Sequence, residues 1–186
     1  MDQSDETVVT LVQGGDKEAF GILITRYEEK MKRYAKRFLL FVDEGDAVVQ
    51  DVFVKAYMHI QDFDTTKRFS PWLYRIAHNT FINEIKRKQK APLPFFDTDT
   101  LFPHPVAEES SDDLARSKEL KAEIEQSLET LPVKYREPLV LYFFEEMSYQ
   151  DIAEILRIPT STVGVRIKRA KDKLKTVYDK LETAYE

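Results

Sequence analysis

Ser148-Tyr149-Gln150-Asp151-Ile152-Ala153-Glu154-Ile155-Leu156-Arg157-Ile158-Pro159-Thr160-Ser161-Thr162-Val163 is the stretch on which the reading of this chain turns. Ser148 followed three residues later by Asp151 approximates a capping box, with Asp standing in for Glu or Gln. Ile152, Ala153, Ile155 and Leu156 then supply one buried helix face. Arg157-Ile158-Pro159 makes a turn, and Thr160 is placed to cap the next helix. In that helix Val163, Ile167, Ala170 and Leu174 recur at helical spacing and are expected to face inward. Ser161, Thr162, Val165, Arg166, Lys168 and Arg169 are left facing outward. A short helix, a tight turn and a basic-faced second helix make the helix-turn-helix arrangement, whose second helix lies in the major groove of DNA. The plainer alternative is a helical hairpin with a solvated basic face. Caps, turn and one-sided charge agree on the former.

Outward from that stretch the pattern stays helical. Alternation of apolar and polar residues never persists, so strands are not expected. Asp16, after Gly14-Gly15, can cap a helix whose apolar stripe runs Phe20, Leu23, Ile24, Tyr27, Met31, Tyr34 and Phe38. A second helix starts near Asp43 and carries Val49, Val52, Phe53, Ala56, Tyr57 and Ile60. Residues 61–68 read as a loop, and a third helix runs from about Ser70 to Lys90 with Pro71 tolerated in its first turn. From 91 to 113 the periodicity disappears among Pro92, Pro94, Pro103 and Pro105, which marks a linker. Leu93, Phe95, Phe96, Leu101 and Phe102 within it either tuck against a domain or meet a partner. Beyond it Leu120, Ile124, Leu128 and Leu131 line a helix that Pro132 ends, and another helix spans 136–146. The expected fold class is all-α: two small helical domains, 1–90 and 114–186, joined by a flexible, acidic, Pro-containing linker, 91–113.

Composition narrows the function. The 186 residues, 42% hydrophobic and 33% charged, hold enough apolar material for a core, so wholesale disorder is not expected. The absence of cysteine excludes disulfides, thiolate metal sites and a cysteine nucleophile, and fits a reducing cytoplasm. The longest apolar run, Leu139-Val140-Leu141-Tyr142-Phe143-Phe144, is far short of the roughly 20 residues that cross a bilayer. The acidic start, Met1-Asp2-Gln3-Ser4-Asp5-Glu6, lacks the basic-then-apolar order of a secretory signal. A soluble cytoplasmic protein with no membrane insertion of its own is expected.

The net charge of −5 argues at first against nucleic acid, yet the charge is segregated. Residues 66–90 hold Lys67, Arg68, Arg75, Lys86, Arg87, Lys88 and Lys90 against Glu84 alone, a local +6. Residues 157–175 hold seven cations against Asp172 alone, again +6, and residues 97–113 carry six carboxylates and no cation. In the first basic block Trp72, Ile76, Asn79, Asn83 and Lys86 or Arg87 fall three or four apart. One helix face therefore carries a polar, cationic row, and Asn can read a base edge. An amphipathic helix with a solvated face stays open as the bland reading, and Trp72 and Phe81 are expected to pack. No glycine-rich phosphate loop is present. His59, His78 and His104 lack metal-ligand spacing, and the doublets Glu108-Glu109 and Glu145-Glu146 diverge on a helix. No catalytic residue, cofactor or metal is expected.

Read together, the two halves resemble an RNA polymerase sigma factor of the extracytoplasmic-function (ECF) subfamily of the sigma-70 family. The resemblance runs from about Val8 to Leu181. Its first half is carried by Gly15-Asp16-Lys17-Glu18-Ala19-Phe20, Asp46-Ala47-Val48-Val49-Gln50-Asp51-Val52-Phe53-Val54-Lys55-Ala56-Tyr57 and Phe69-Ser70-Pro71-Trp72-Leu73-Tyr74-Arg75-Ile76-Ala77-His78-Asn79. Leu131-Pro132, Tyr149-Gln150-Asp151-Ile152-Ala153, Thr162-Val163 and Arg166-Ile167-Lys168-Arg169-Ala170 carry the second.

The resemblance implies that residues 1–90 are a region 2-like bundle that docks on core RNA polymerase, recognises the −10 element and melts it. Residues 114–186 would be a region 4-like helix-turn-helix for the −35 element. It assigns Asp46, Gln50 and Asp51 to polymerase docking and Arg75, Asn79, Asn83 and Arg87 to the −10 element. The loop 62–69 would help hold a flipped non-template base, and Thr162, Val165, Arg166, Lys168 and Arg169 would face the −35 element. Residues 139–144 would help form the part that meets the polymerase flap, and the linker would thread the enzyme near the RNA path. Core RNA polymerase, promoter DNA and an anti-sigma factor are the implied partners; the polymerase does the chemistry, so the chain itself is not an enzyme. Two positions depart from the family pattern: Gly164 stands where relatives often carry a basic residue, and Asn83 replaces a common acidic one. A free-standing helix-turn-helix regulator is the alternative, but no dimerisation helix or effector-binding domain is visible.

Overall fold

The structure is a computed structural model that describes residues 3–40, 45–89 and 127–182, with side chains up to residue 88 in the second segment and to 175 in the third. Among these residues there are seven α-helices and no strands, and the chain divides into an N-terminal and a C-terminal compact unit. The expected linker, 91–113, and most of the helix expected to end at Leu131 lie outside the described residues.

The N-terminal unit contains α1 (Asp5–Gln13), α2 (Phe20–Leu39), α3 (Gly45–His59) and α4 (Phe69–Gln89), with a 3-10 turn at Ile60–Asp62. The sequence reading did not anticipate α1. Its start is nevertheless well signalled: the Ser4 hydroxyl accepts the Thr7 N–H at 3.2 Å, and Asp5 and Glu6 sit in the first turn, where carboxylates suit the helix dipole. Asp16 does not cap α2, whose N-cap is Ala19 with no side-chain hydrogen bond; its carboxylate instead braces the turn just before the helix, accepting the Glu18 and Ala19 N–H groups at 3.1 and 3.2 Å. Gly45 opens α3 among the described residues, whereas Asp43 falls outside them.

Two parallel rows at four-residue steps organise α4. Phe69, Leu73, Ala77, Phe81 and Ile85 are buried, and nearly half a turn round the helix Arg75, Asn79, Asn83 and Arg87 are half-buried or exposed. The buried row meets α2 and α3. Tyr34 of α2 is the hub, with ring centroids 5.8 Å from Phe38, 5.4 Å from Tyr74 and 5.1 Å from Phe81. Burying each such ring stabilises the unit by roughly 1.5–3 kcal/mol, and the tilted contacts suit aromatic quadrupoles.

The C-terminal unit contains α5 (Val133–Phe143), α6 (Tyr149–Leu156) and α7 (Thr160–Glu182), preceded by a 3-10 turn at Leu128–Thr130. Helix α5 starts directly after Pro132, three residues before the expected Arg136, and encloses Pro138. Arg136 is buried and donates to the Leu131 carbonyl at 2.8 Å, tying the 3-10 turn to α5. Ser148 caps α6 as expected: its hydroxyl accepts the Asp151 N–H at 3.2 Å and donates to the Asp151 carboxylate at 2.8 Å. Arg157 ends α6 with φ 54° and ψ 47°, the left-handed conformation of a helix C-cap. Thr160 is the first residue inside α7, not the residue before it, and the Pro159 carbonyl takes the Thr162 and Val163 N–H groups. The inward series Val163, Ile167, Ala170 and Leu174 is buried throughout, and α7 packs on α5.

A side chain with a Cβ is disfavoured in the conformation of Arg157, whose own side chain is exposed. Arg157→Gly is expected to stabilise the C-terminal unit by about 1 kcal/mol, measured as slower amide exchange along α6 and α7 at unchanged secondary structure.

Candidate nucleic-acid interface

Three surfaces carry the residues singled out by sequence. On α4 the Asn79 and Asn83 carboxamides are exposed and Arg75 is half-buried, with all three on one face. Arg87 extends that row but is forked onto Glu84, with Nε and Nη2 at 2.9 and 2.8 Å from the carboxylate oxygens. Lys88 stands 4.0 Å from the same carboxylate. The Arg87 hydrogen bonds are the chief reason that the Glu84 carboxyl is held below its ordinary range. The Arg87 side chain is 67% exposed while that of Glu84 is only 11% exposed, so the guanidinium presents its open edge to solvent as it holds the carboxylate.

Between α3 and α4 the chain makes a small braced loop. The Phe63 N–H returns to the Ile60 carbonyl at 3.2 Å and the Lys67 N–H to the Asp64 carbonyl at 3.0 Å. One oxygen of the Asp64 carboxylate accepts both the Thr66 N–H, at 3.0 Å, and the Thr66 hydroxyl, at 2.7 Å. These bonds form an Asx turn and hold the Asp64 carboxyl below its ordinary value. Beneath the loop Trp72 lies 5.1 Å from Phe63 and 5.5 Å from Phe69, and the latter two rings are 5.8 Å apart edge to face. Trp72 is half-buried in that triad and Phe81 is fully buried, so both pack. Above them Gln61, Asp62, Thr66, Lys67 and Arg68 are exposed: a rigid turn with polar and cationic edges beside the asparagine row.

On α3, Asp46, Gln50 and Asp51 are all exposed. Lys55 pairs with Asp51 at 2.6 Å and reaches the Thr80 hydroxyl of α4 at 3.3 Å. Asp46 also borders a cavity of about 310 Å³ lined by Lys32, Ala35, Lys36, Leu39, Leu40 and Gly45. Further along the same face, Val54 and Met58 are 50% and 69% exposed. The sequence reading missed both; the four-residue series 46, 50, 54, 58 is the signal that would have found them.

On α7 the expectation needs correcting. Lys168 is exposed and Arg166 and Arg169 are half-buried, but Thr162 and Val165 are only 6% and 8% exposed. The outward assignment assumed one buried stripe, centred on Val163. Val165 lies nearly opposite that stripe, so the early turns of α7 are enclosed on more than one side.

Among the described residues no helix is long and apolar enough to cross a membrane, and no cluster of three or more His, Cys, Asp or Glu side chains could hold a metal.

Two families of sigma-70 regions match this architecture: Sigma-70 region 2 over residues 23–91 and Sigma-70, region 4 over residues 121–174. Bacillus subtilis (strain 168) ECF RNA polymerase sigma factor SigW is 36% identical over 172 residues, spanning 88% of this chain and 91% of its own. The RNA polymerase sigma-H factor of Pseudomonas aeruginosa is 34% identical over 180 residues, and the ECF sigma-E factor of Escherichia coli (strain K12) 33% over 176. Each of these matches spans 91% of both chains. Of the solved structures, CnrH in complex with the cytosolic domain of CnrY superposes with a TM-score of 0.70 at 28% identity, over 95% of this chain and 98% of that one. The fold is therefore that of a sigma-70-type initiation factor with regions 2 and 4. The chain belongs to the ECF subfamily of RNA polymerase sigma factors. It binds core RNA polymerase, directs it to promoters with −35 and −10 elements, and helps to melt the −10 region.

Glu84→Gln should loosen the hold on Arg87 and remove a charge that repels DNA. The holoenzyme's non-specific DNA affinity should then fall more steeply with salt, its log–log slope steeper by about 1, as measured by fluorescence anisotropy. The Asp64 brace has the sign of a depressed carboxylate: it is complete at neutral pH and is lost as pH falls below the ordinary 3.8 and through the folded value. The Thr66 amide resonance should titrate in that acid window, and Asp64→Asn should abolish the titration.

Proposed function

We infer that residues 1–90 dock on core polymerase and recognise the −10 element, that residues 114–186 recognise the −35 element, and that 91–113 connect them. The observation that carries this reading is the row Arg75, Asn79 and Asn83 standing beside the braced loop on one helix, with its polar groups outward. A carboxamide presents donor and acceptor together, which suits the edge of a base. The loop supplies a preformed turn against which an extruded base can rest, offsetting the few kcal/mol that unstacking costs. Arg87 and the loop cations Lys67 and Arg68 follow the phosphates.

Docking is assigned to Asp46, Gln50 and Asp51, exposed on a different helix from the asparagine row, so core binding and promoter reading are separable. On α7, Arg166, Lys168 and Arg169 are the −35 contacts. Thr162 and Val165 would join them only if their cover is removed. The cavity between α2 and α3 and the exposed Val54 and Met58 give a partner apolar surface beside the docking carboxylates.

The chain is not an enzyme: catalysis belongs to the polymerase, and the protein acts in the cytoplasm where that enzyme works. CnrH, a solved relative, is held by the cytosolic domain of CnrY. By analogy an anti-sigma partner restrains this chain by covering its polymerase- and DNA-binding faces. Low free affinity for DNA follows from the net charge of −5, which leaves core enzyme to supply much of the grip.

Run-off transcription with purified core polymerase on a pool of promoters tests this reading. New discrete transcripts dependent on the chain support it; absence of both transcripts and co-elution with core overturns it. Asn79→Ala should lower transcript yield about tenfold with core affinity unchanged, and Arg169→Ala should weaken use of promoters that depend on the −35 element. Equal loss of core binding in Asn79→Ala would remove Asn79 from the −10 site.

A further inference from the structure

Helix α1 was not anticipated from sequence, and its contacts converge on the loop between α3 and α4. Gln13 extends one carboxamide N–H to the Ile60 carbonyl at 2.7 Å and the other to the Phe63 carbonyl at 2.9 Å. These carbonyls bracket the 3-10 turn that opens the loop. Glu6 accepts the Phe69 N–H at 2.9 Å, one of the first-turn donors that α4 leaves without an intrahelical partner. A carboxylate there also complements the positive end of the α4 dipole. Glu6 and Gln13 are seven residues apart, hence on one face of α1 and separated by roughly 10.5 Å. One rigid helix thus grips both ends of the loop.

The grip is itself anchored. Asp5 accepts a hydrogen bond from Arg26 at 2.7 Å and from the Tyr27 hydroxyl at 2.5 Å, which fixes the start of α1 on α2. Burial, then the Asp5 hydrogen bond, raises the Tyr27 hydroxyl's pKa, so it stays a donor. The Tyr27 ring meets Phe69 edge to face at 5.6 Å, and Phe69 is the residue whose N–H Glu6 holds. Between the two clamped ends the loop is shaped by its internal Asx turn and by the Lys67 N–H bond to the Asp64 carbonyl.

From this geometry we propose that α1 is a template for the base-holding loop, with Gln13 and Glu6 as positioning residues that set −10 selectivity and melting without touching DNA. The proposal rests on the reading of residues 62–69 as the loop that receives an extruded base. A loop fixed during folding need not be ordered when the base arrives, so the ordering entropy does not add to the melting barrier. Released from Gln13, the Ile60 and Phe63 carbonyls let the loop sample other shapes and select less well among bases.

The test uses full-length variants assembled with core polymerase, on a promoter that the wild-type holoenzyme selects. Gln13→Leu keeps the bulk and removes both donors; Glu6→Ala removes the cap, and Glu6→Gln retains an acceptor. Gln13→Leu and Glu6→Ala should each lower permanganate reactivity of −10 thymines on duplex promoter by about tenfold. Both should also flatten base preference there, while core affinity stays within about twofold. Glu6→Gln should restore wild-type behaviour, and a template with a pre-melted −10 region should recover most of the lost transcription. A merely structural role would instead lower core binding and thermal stability together and would not respond to pre-melting. Gln13→Met serves if Gln13→Leu folds poorly. Wild-type melting and selectivity in folded Gln13→Leu and Glu6→Ala would overturn the proposal. Loop variants Thr66→Ala and Arg68→Ala separate the two levels. If they leave −10 selectivity untouched, the base-holding reading falls; if they lower it while the α1 variants do not, only the template role falls.

Discussion

The burial of one row of α4 against Tyr34 is the constraint from which the rest of the N-terminal unit follows. Phe69, Leu73, Ala77, Phe81 and Ile85 leave water together, and because a helix is rigid, that choice sets where every other α4 side chain points. Arg75, Asn79 and Asn83 are outward because the aromatic contacts hold the opposite row inward, with no hydrogen bond needed to aim them. The same row orients Phe69, and through it Trp72 and Phe63, so the floor of the loop and the polar face are parts of one packing solution. A helix that could roll would offer DNA a blurred surface; this one is keyed by two ring contacts, from Tyr74 and Phe81, to a single side chain of α2.

Electrostatics builds on that frame. An acidic protein that works on DNA must keep its cations together and its carboxylates elsewhere or occupied. Glu84, the one acid in the first basic block, is taken up by Arg87. Asp64 is taken up by its own turn, Asp5 by Arg26 and Tyr27, and Glu6 by the start of α4. Each of these carboxylates serves the fold. Exposed Asp46 and Asp51 stand on α3, and Asp51 is paired with Lys55 of the same helix.

Sigma regions 2 and 4 divide the work between a bundle that needs rigidity and a helix-turn-helix that needs a defined turn. In the second unit the turn is held by caps: Ser148 at the front of α6, left-handed Arg157 at its end, and the Pro159 carbonyl at the front of α7. Arg157 shows that the position tolerates a side chain where glycine would be unstrained, because its side chain points into solvent. The burial of Thr162 and Val165 shows that the accessibility of α7 depends on more than its own pattern.

What the sequence determined by itself was local. Helix class, the Ser148 cap, the inward series on α7, the α4 polar row and the segregation of charge are all functions of residue type and spacing within one element, and period and capping chemistry need no knowledge of neighbours. The tertiary structure decided what depends on distant partners. Gln13 reaches carbonyls 47 and 50 residues away and Glu6 an N–H 63 residues away, and no local pattern encodes such pairings. A Gln or Glu on a short helix reads as a solvated polar residue until packing brings a backbone group to it. The enclosure of Val165 is of the same kind, whereas the Glu84–Arg87 pair, three residues apart on one helix, and the outward series 46, 50, 54 and 58 follow from local spacing. Sequence specifies what each side chain can do; whether it meets a partner or water is decided only when the helices have packed.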